Sequence, residues 1–264
     1  MKKRIIVQPL GGLGNRMRAI VGAYDLSKKM NRELVVVWTR DITLNEKFSN
    51  IFEEIPCRVI ECQLNTLFYK FLYRLLKYVL RYRIIDDSFV VRNCKSQSIT
   101  WTKPMVNDNL FIVSCENITL SEDFSILKLN KMLKEKIPFR IDRDKTIGIH
   151  IRRVDNEKSI KYSPSTLFFD KIDEKLRLEP STRFYLATDD SDEEKAFINK
   201  YGDSIIVYHK SSLDRNNPMA IHDAAIDLYL LSCCKEIYGS YYSSFSDTAA
   251  LWGGIVKDVL KITL

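Results

Sequence analysis

A short apolar run at residues 4–8 (RIIVQ) leads straight into Pro9-Leu10-Gly11-Gly12-Leu13-Gly14-Asn15, and a helical repeat follows. That junction constrains the chain more than any other stretch. From Met17 the apolar residues recur at Ile20, Val21 and Tyr24, the spacing of one helix face, and the pattern stops near Lys28 and Lys29, cations in a last turn. Leu34 to Trp38 (LVVVW) is then a continuous, largely β-branched run of the kind buried on both faces of a sheet. The opening reads as β-α-β with a glycine-rich loop at the helix N-terminus.

Glycines in that loop allow a tight turn and close backbone approach, and the helix start offers N–H groups and partial positive charge to an anion. It is not a dinucleotide fingerprint, because the third glycine position of GxGxxG, counted from Gly12, is Met17. Nor is it a P-loop, since no Gly-Lys-Ser/Thr follows. A structural strand-to-helix turn and a ligand cradle both fit.

Residues 42–135 are harder to parse. Their clearest element is a basic amphipathic helix expected over Leu67–Arg83, with Lys70, Arg74, Lys77 and Arg81 on one stripe and Phe68, Phe71, Leu72, Leu75, Leu76, Val79 and Leu80 elsewhere. It reads either as a surface helix with a solvated charged face or as a membrane-surface helix meeting anionic lipid.

Past Pro138 and a charged stretch, strand-like runs at 146–151, 183–187, 204–209 and 236–239 alternate with helical patterns at 191–201, 221–233 and 246–253. This second βαβ series sets the expected domains at 1–140 and 141–264, two Rossmann-like lobes facing a central cleft. The first carries 24 Lys and Arg against 14 Asp and Glu, a charge of +10; the second carries 17 against 20, or −3. A basic half favours phosphate-bearing substrates, nucleic acid or an anionic membrane surface without choosing among them.

With 45% hydrophobic and 28% charged residues, the chain is neither disordered nor collagenous. Its six cysteines lack CxxC spacing, the opening MKKRIIVQPL lacks the apolar stretch of a secretion signal, and no run of about 18 apolar residues exists. The expected compartment is the cytoplasm.

Four clusters carry the candidate chemistry. Gly12, Gly14 and Asn15 form the first. In the second, His150 and Arg152 share one strand face opposite Ile147, Ile149 and Ile151, so both are expected to approach one ligand. A guanidinium leaving a buried strand matches phosphate in a bidentate way, although an ion pair with Asp155 would also satisfy it. In the third, Asp189 and Asp190 end a strand and begin a helix; one carboxylate caps the helix while the other can meet a base edge or ribose hydroxyls. In the fourth, Ser243, Ser244 and Phe245 precede a helix whose N–H groups suit a diphosphate. Asp223 and Asp227 lie one helical turn apart and are explained equally by a solvated face or an internal salt bridge. His209 and His222 have no partner at metal-ligand spacing, and no structural zinc is inferred.

Taken in order, GGLGNRMR, HIRRVD, ATDD and SSFSDTAAL resemble the motifs of GDP-fucose-dependent fucosyltransferases: nodulation-type α-1,6, bacterial α-1,2 and protein O-fucosyltransferases. The resemblance spans almost the whole chain. It implies a GT-B-like fold and an inverting, metal-independent transfer of fucose from GDP-fucose to a glycan or lipid-linked glycan acceptor, with no cofactor. Carried over by position, Arg152 would bind the β-phosphate with Arg153 as helper, and His150 would line the nucleotide pocket. Asp189 or Asp190 would read guanine or ribose, and Ser243, Ser244 and Phe245 would hold the diphosphate. The Gly12–Asn15 loop would face sugar and acceptor, with Asp155 as the candidate base. A bacterial-type enzyme of polysaccharide biosynthesis is expected, cytoplasmic and touching the inner membrane face if 67–83 binds lipid. The alternative is a non-catalytic nucleotide- or nucleic-acid-binding protein using the basic half; no aromatic-basic RNA motif supports it. A Rossmann dehydrogenase is weakened by the broken glycine fingerprint.

Overall fold

The computed structural model describes residues 3–94, 108–119, 121, 123–154, 156–211 and 217–262. Contacts divide the chain into two compact units, Met1–Asn130 with Arg215–Ile221, and Lys131–Asp214 with His222–Leu264. The division falls after Asn130 rather than after residue 140.

In the first unit, the elements are β1 (Arg4–Pro9), α1 (Leu13–Lys29), β2 (Glu33–Arg40), α2 (Phe48–Ile51), β3 (Arg58–Gln63), α3 (Leu67–Arg74), β4 (Arg83–Ile85), α4 (Asp87–Cys94) and β5 (Leu110–Ser114). The five strands are parallel in the order β3-β2-β1-β5-β4. Strand alternation divides the core between the two faces of the sheet. Ile6, Val35, Val37 and Phe111 pack with Leu76 on one face. That leaves Ile5, Val7, Val36 and Trp38, all buried, for the other. Helix α1 begins at Leu13, earlier than Met17, because Gly12 serves as N-cap and Leu13 is already buried.

The expected 67–83 helix is shorter. After Arg74 the coil widens into a π-turn over Leu75–Val79, closed by the Leu80 N–H donating to the Leu75 carbonyl at 2.9 Å. Arg81 then adopts φ +50°, which ends the helix and lets Arg83 start β4.

In the second unit, α5 (Lys131–Lys134) precedes β6 (Thr146–Ile151), α6 (Glu157–Tyr162), α7 (Ser165–Leu178), β7 (Arg183–Thr188), α8 (Ser191–Tyr201), β8 (Ile205–Val207), α9 (Pro218–Ser232), β9 (Glu236–Ser240), α10 (Ser244–Gly253) and β10 (Val256–Leu260). This sheet too is parallel, in the order β10-β9-β6-β7-β8, with β6 at its centre. Ile147, Ile149 and Ile151 meet Phe168, Ile172 and Phe197 on one face. On the other, a Cβ at Gly148 would come within 3.0 Å of the Leu231 side chain and 3.2 Å of that of Ile237, so even a methyl group there would have to push those side chains back by a few tenths of an ångström. The run at 204–209 shrinks to Ile205–Val207, because a 3-10 turn occupies Gly202–Ser204 and Asp223 draws in the Ser211 N–H and the Tyr208 hydroxyl beyond the strand. Among the described residues, no helix is long and apolar enough to cross a membrane.

Candidate active site

The second unit gathers its candidate residues where β6, β7 and β9 end, the edge of a parallel sheet that receives ligands. The Arg152 N–H donates to Ser240 Oγ at 3.2 Å, and its guanidinium lies 3.0 Å from Asp189 Oδ2. Asp189 Oδ1 accepts the Arg153 backbone N–H at 2.7 Å. Among the described residues, Asp189 is the carboxylate beside the Arg152 guanidinium; Asp155, the partner expected from the sequence, lies outside them.

Arg153 is an internal anchor. Its Nε donates to Glu193 at 2.6 Å, Nη2 to Ser165 Oγ at 2.9 Å and Nη1 to the Arg152 carbonyl at 3.1 Å. Each guanidinium nitrogen is thus engaged within the protein, tying the β6 exit to α7 and α8. Arg152, with about 21% of its side chain exposed, is the one presented outward.

The two helix starts differ. Asp190 is the N-cap of α8, accepting from the backbone N–H groups of Asp192 and Glu193 at 2.8 and 3.1 Å, so its carboxylate takes the capping role. Ser243 at the N-cap of α10 makes no side-chain cap bond. Its hydroxyl lies 3.5 Å from His150 Nδ1, while the Ser246 and Thr248 hydroxyls turn back onto the carbonyls of Ser243 and Ser244. The first N–H groups of α10 keep the open, positive character of an uncapped helix.

His150 is buried and stacks on Phe245, ring centroids 4.9 Å apart. Burial, reinforced by Arg152, Lys257, Lys210 and Arg153, holds its pKa down at about 3, so the imidazole is neutral. Sequence alternation put His150 and Arg152 on one face; the structure makes His150 a packing residue beneath the β9–α10 turn. That turn is clamped by residues the sequence did not single out. Tyr242 sits at φ +58°, and the carbonyls of Tyr241 and Tyr242 accept from Ser159 Oγ and Asn156 Nδ2. The Tyr241 N–H donates to Ser163 Oγ at 2.7 Å.

Asp227, one of the helical acid pair, is internal. The Tyr185 hydroxyl donates to it and Lys210 Nζ lies 3.3 Å away; burial nevertheless pushes its pKa up to about 6.

In the first unit, Gly11 has φ +77°, and a Cβ there would meet Asn15 Nδ2 at 2.9 Å. A Cβ at Gly12 would meet nothing within 4 Å, Gly14 is buried, and Asn15 Oδ1 accepts from Arg18 at 2.7 Å. The loop is shaped by Arg16, which sequence reasoning passed over. Its fully buried guanidinium donates to the Gly11 carbonyl at 2.7 Å, to the Thr39 carbonyl and to Asp41 at 2.9 Å, and lies 4.9 Å from the Trp38 ring centroid. The available signal was position: Arg16 is one turn before Ile20, on the stripe that should be apolar.

Among the described residues, no group of three or more His, Cys, Asp or Glu side chains could hold a metal ion. No protein-family model matches the sequence, and no curated protein matches it. Solved structures do. A NodZ α-1,6-fucosyltransferase soaked with GDP-fucose superimposes with a TM-score of 0.60 at 20% identity, covering 96% of this chain and 93% of that one. An Arabidopsis thaliana FUT1 variant in complex with GDP gives 0.62 at 14% identity, covering 98% and 70%. POFUT1 in complex with GDP-fucose gives 0.55 at 12% identity, covering 98% of each chain. At these identities the likeness is one of architecture, and the chain has the GT-B-like α/β fold of those fucosyltransferase structures.

Proposed function

We propose that the protein is an inverting, metal-independent glycosyltransferase that moves fucose from GDP-fucose to a glycan hydroxyl. One observation carries the reading: Arg152 emerges from the central strand of the second sheet, braced by Asp189 and bonded through its backbone N–H to Ser240 at the end of β9, in a fold whose solved examples include complexes with GDP and GDP-fucose.

As the sugar–phosphate bond lengthens, negative charge grows on the β-phosphate. A guanidinium already held in place by Asp189, at the same strand-end edge of the sheet as the uncapped N-terminus of α10, lowers that barrier without reorganising at the moment of reaction. In this assignment Arg152 carries the charge stabilisation and Ser243, Ser244 and Phe245 border the diphosphate. Asp189 positions Arg152, and Gly12, Gly14 and Asn15 serve the acceptor side. An inverting displacement also needs a base for the acceptor hydroxyl, and we assign that role to Asp155. The acceptor is a glycan of bacterial surface-polysaccharide type, free or lipid-linked, and the compartment the cytoplasm; the free thiols of Cys57, Cys62, Cys115, Cys233 and Cys234 accord with a reducing environment.

Thermal-shift binding of GDP, GDP-fucose, UDP, ADP and NAD, with and without EDTA, tests this. A ligand at about 100 times its Kd adds roughly 2.7 kcal/mol. Stabilisation by the guanine compounds alone, unaffected by EDTA, is the expected result; stabilisation by none of them, or by NAD, rejects the reading.

A further inference from the structure

We propose that the outward face of α3 and the π-turn that follows it docks on an anionic lipid surface. This inference stands apart from the transferase reading and has its own test.

Helix α3 is apolar on two sides. Inward, Tyr69, Leu72, Tyr73 and Leu76 pack against Ile6, Val35, Val37 and Phe111 of the sheet. The Tyr69 hydroxyl donates to Gln8 Oε1 at 2.7 Å, and Thr66 caps the helix by accepting from the Tyr69 N–H. The element is thereby fixed to the sheet, and its core contacts are already made. Outward, Leu67, Phe68, Phe71, Tyr78, Val79 and Leu80 are each more than half exposed. Core packing does not explain that second apolar face, and large exposed apolar patches mark interaction surfaces.

The charges select the partner. At 100° per residue along α3, Lys70 and Arg74 fall on one flank, between the inner Tyr69–Leu72–Tyr73 face and the outer Leu67 and Phe71; Lys77, exposed like them, follows in the π-turn. Residues 67–83 contain five Lys or Arg and no Asp or Glu. Among the described residues, Lys70, Arg74 and Lys77 form no ion pair. Lys77 Nζ instead lies 5.2 Å from the Tyr78 ring centroid. Aromatic side chains beside cations on long stems are what the headgroup region accepts: rings enter the acyl boundary while ammonium and guanidinium groups reach lipid phosphates. A partner protein would have to be both apolar and acidic over the same small area. An anionic bilayer offers both everywhere.

The test is co-sedimentation of the full chain with vesicles of phosphatidylcholine alone and of phosphatidylcholine mixed with phosphatidylglycerol, at low and high salt. Three proteins are compared: wild type, Phe68→Ser with Phe71→Ser, and Lys70→Glu with Arg74→Glu and Lys77→Glu. These side chains point away from the core, and an unchanged melting temperature confirms folding. Binding to the mixed vesicles only, weakened by salt, should fall on the order of 100-fold in the triple variant, since each cation near such a surface contributes about five-fold. The aromatic pair should also weaken it. No binding, equal binding to neutral vesicles, or binding unchanged in both variants overturns the proposal. So does a concentration-dependent dimer in analytical ultracentrifugation that the Phe variant abolishes, which would make the face a self-association surface.

Discussion

The Arg152 guanidinium lies 3.0 Å from Asp189 Oδ2, while the other oxygen of the same carboxylate holds the backbone N–H of Arg153. One acid therefore sets both the direction of the guanidinium and the course of the chain that carries it. Arg152→Lys keeps a positive charge but loses the planar fork, and turnover with GDP-fucose should drop about 10²-fold or more with the fold intact. Asp189→Asn keeps an acceptor for the Arg153 N–H and loses the charge, so a smaller loss, roughly 10-fold, is expected. Steady-state kinetics on both variants check the order; normal turnover in the lysine variant removes Arg152 from the mechanism.

Asp190, next along the chain, should behave as a structural residue. Asp190→Ala leaves the α8 N-terminus uncapped and should cost about 1 kcal/mol in denaturant unfolding, with kinetic constants unchanged. A large rise in KM for GDP-fucose would return Asp190 to the nucleotide site.

Two glycines make a matched pair. A Cβ at Gly253 would lie 2.1 Å from the Ser232 carbonyl oxygen, so Gly253→Ala must move backbone and should destabilise by about 1–3 kcal/mol. Gly12 has φ −71° and open space around its missing Cβ. Gly12→Ala should melt like wild type, and lost turnover in such a stable variant would mark this loop as facing substrate.

Arg16 holds the loop from beneath. Burial holds its pKa below the ordinary value, and the Asp41 carboxylate offsets part of that shift. Arg16→Met removes the donor to Gly11, Thr39 and Asp41 together and should cost at least about 3 kcal/mol. Equilibrium urea unfolding gives the figure, and a midpoint matching wild type would show that the web contributes little.

His150 makes stability depend on pH. Its folded pKa of about 3 lies below the ordinary 6.5, so the unfolded chain binds more protons between those values. The stabilisation is complete above pH 6.5 and is lost as pH falls, by up to about 1.4 kcal/mol per unit. Asp227 acts oppositely: with its pKa raised from 3.8 to about 6, its contribution is present at low pH and lost as pH rises through 6. The two slopes offset each other between about pH 4 and 6, and below that His150 acts alone. The stability difference between wild type and His150→Gln should therefore shrink from pH 7 to pH 4; a constant difference would exclude this titration.

Local patterns were legible wherever one face of an element is apolar throughout. The alternation of Ile147, Ile149 and Ile151 located β6 and its core face, and the 191–201 pattern matched α8. Helix α7 escaped because only Phe168 and Ile172 of its fourteen residues are fully buried, too sparse a stripe to stand out. The edge strand β10 escaped because Val256–Leu260 is only partly covered. The length of α3 was overread, since its apolar residues continue through a π-turn that periodicity cannot distinguish from helix.

The sequence by itself determined the parallel α/β character, the glycine-rich turn and the presence of Arg152 at a strand end, because these follow from spacing along the chain. Tertiary structure decided that Asp189 meets that arginine. In the parallel β6–β7 register Ile151 lies opposite Thr188, so the residues that follow, Arg152 and Asp189, leave the sheet side by side. Register is set by how two separate strands bury their apolar faces together, and no local pattern in either strand encodes it. The same reason placed Thr39 and Asp41 of β2 and its following turn around Arg16 of α1.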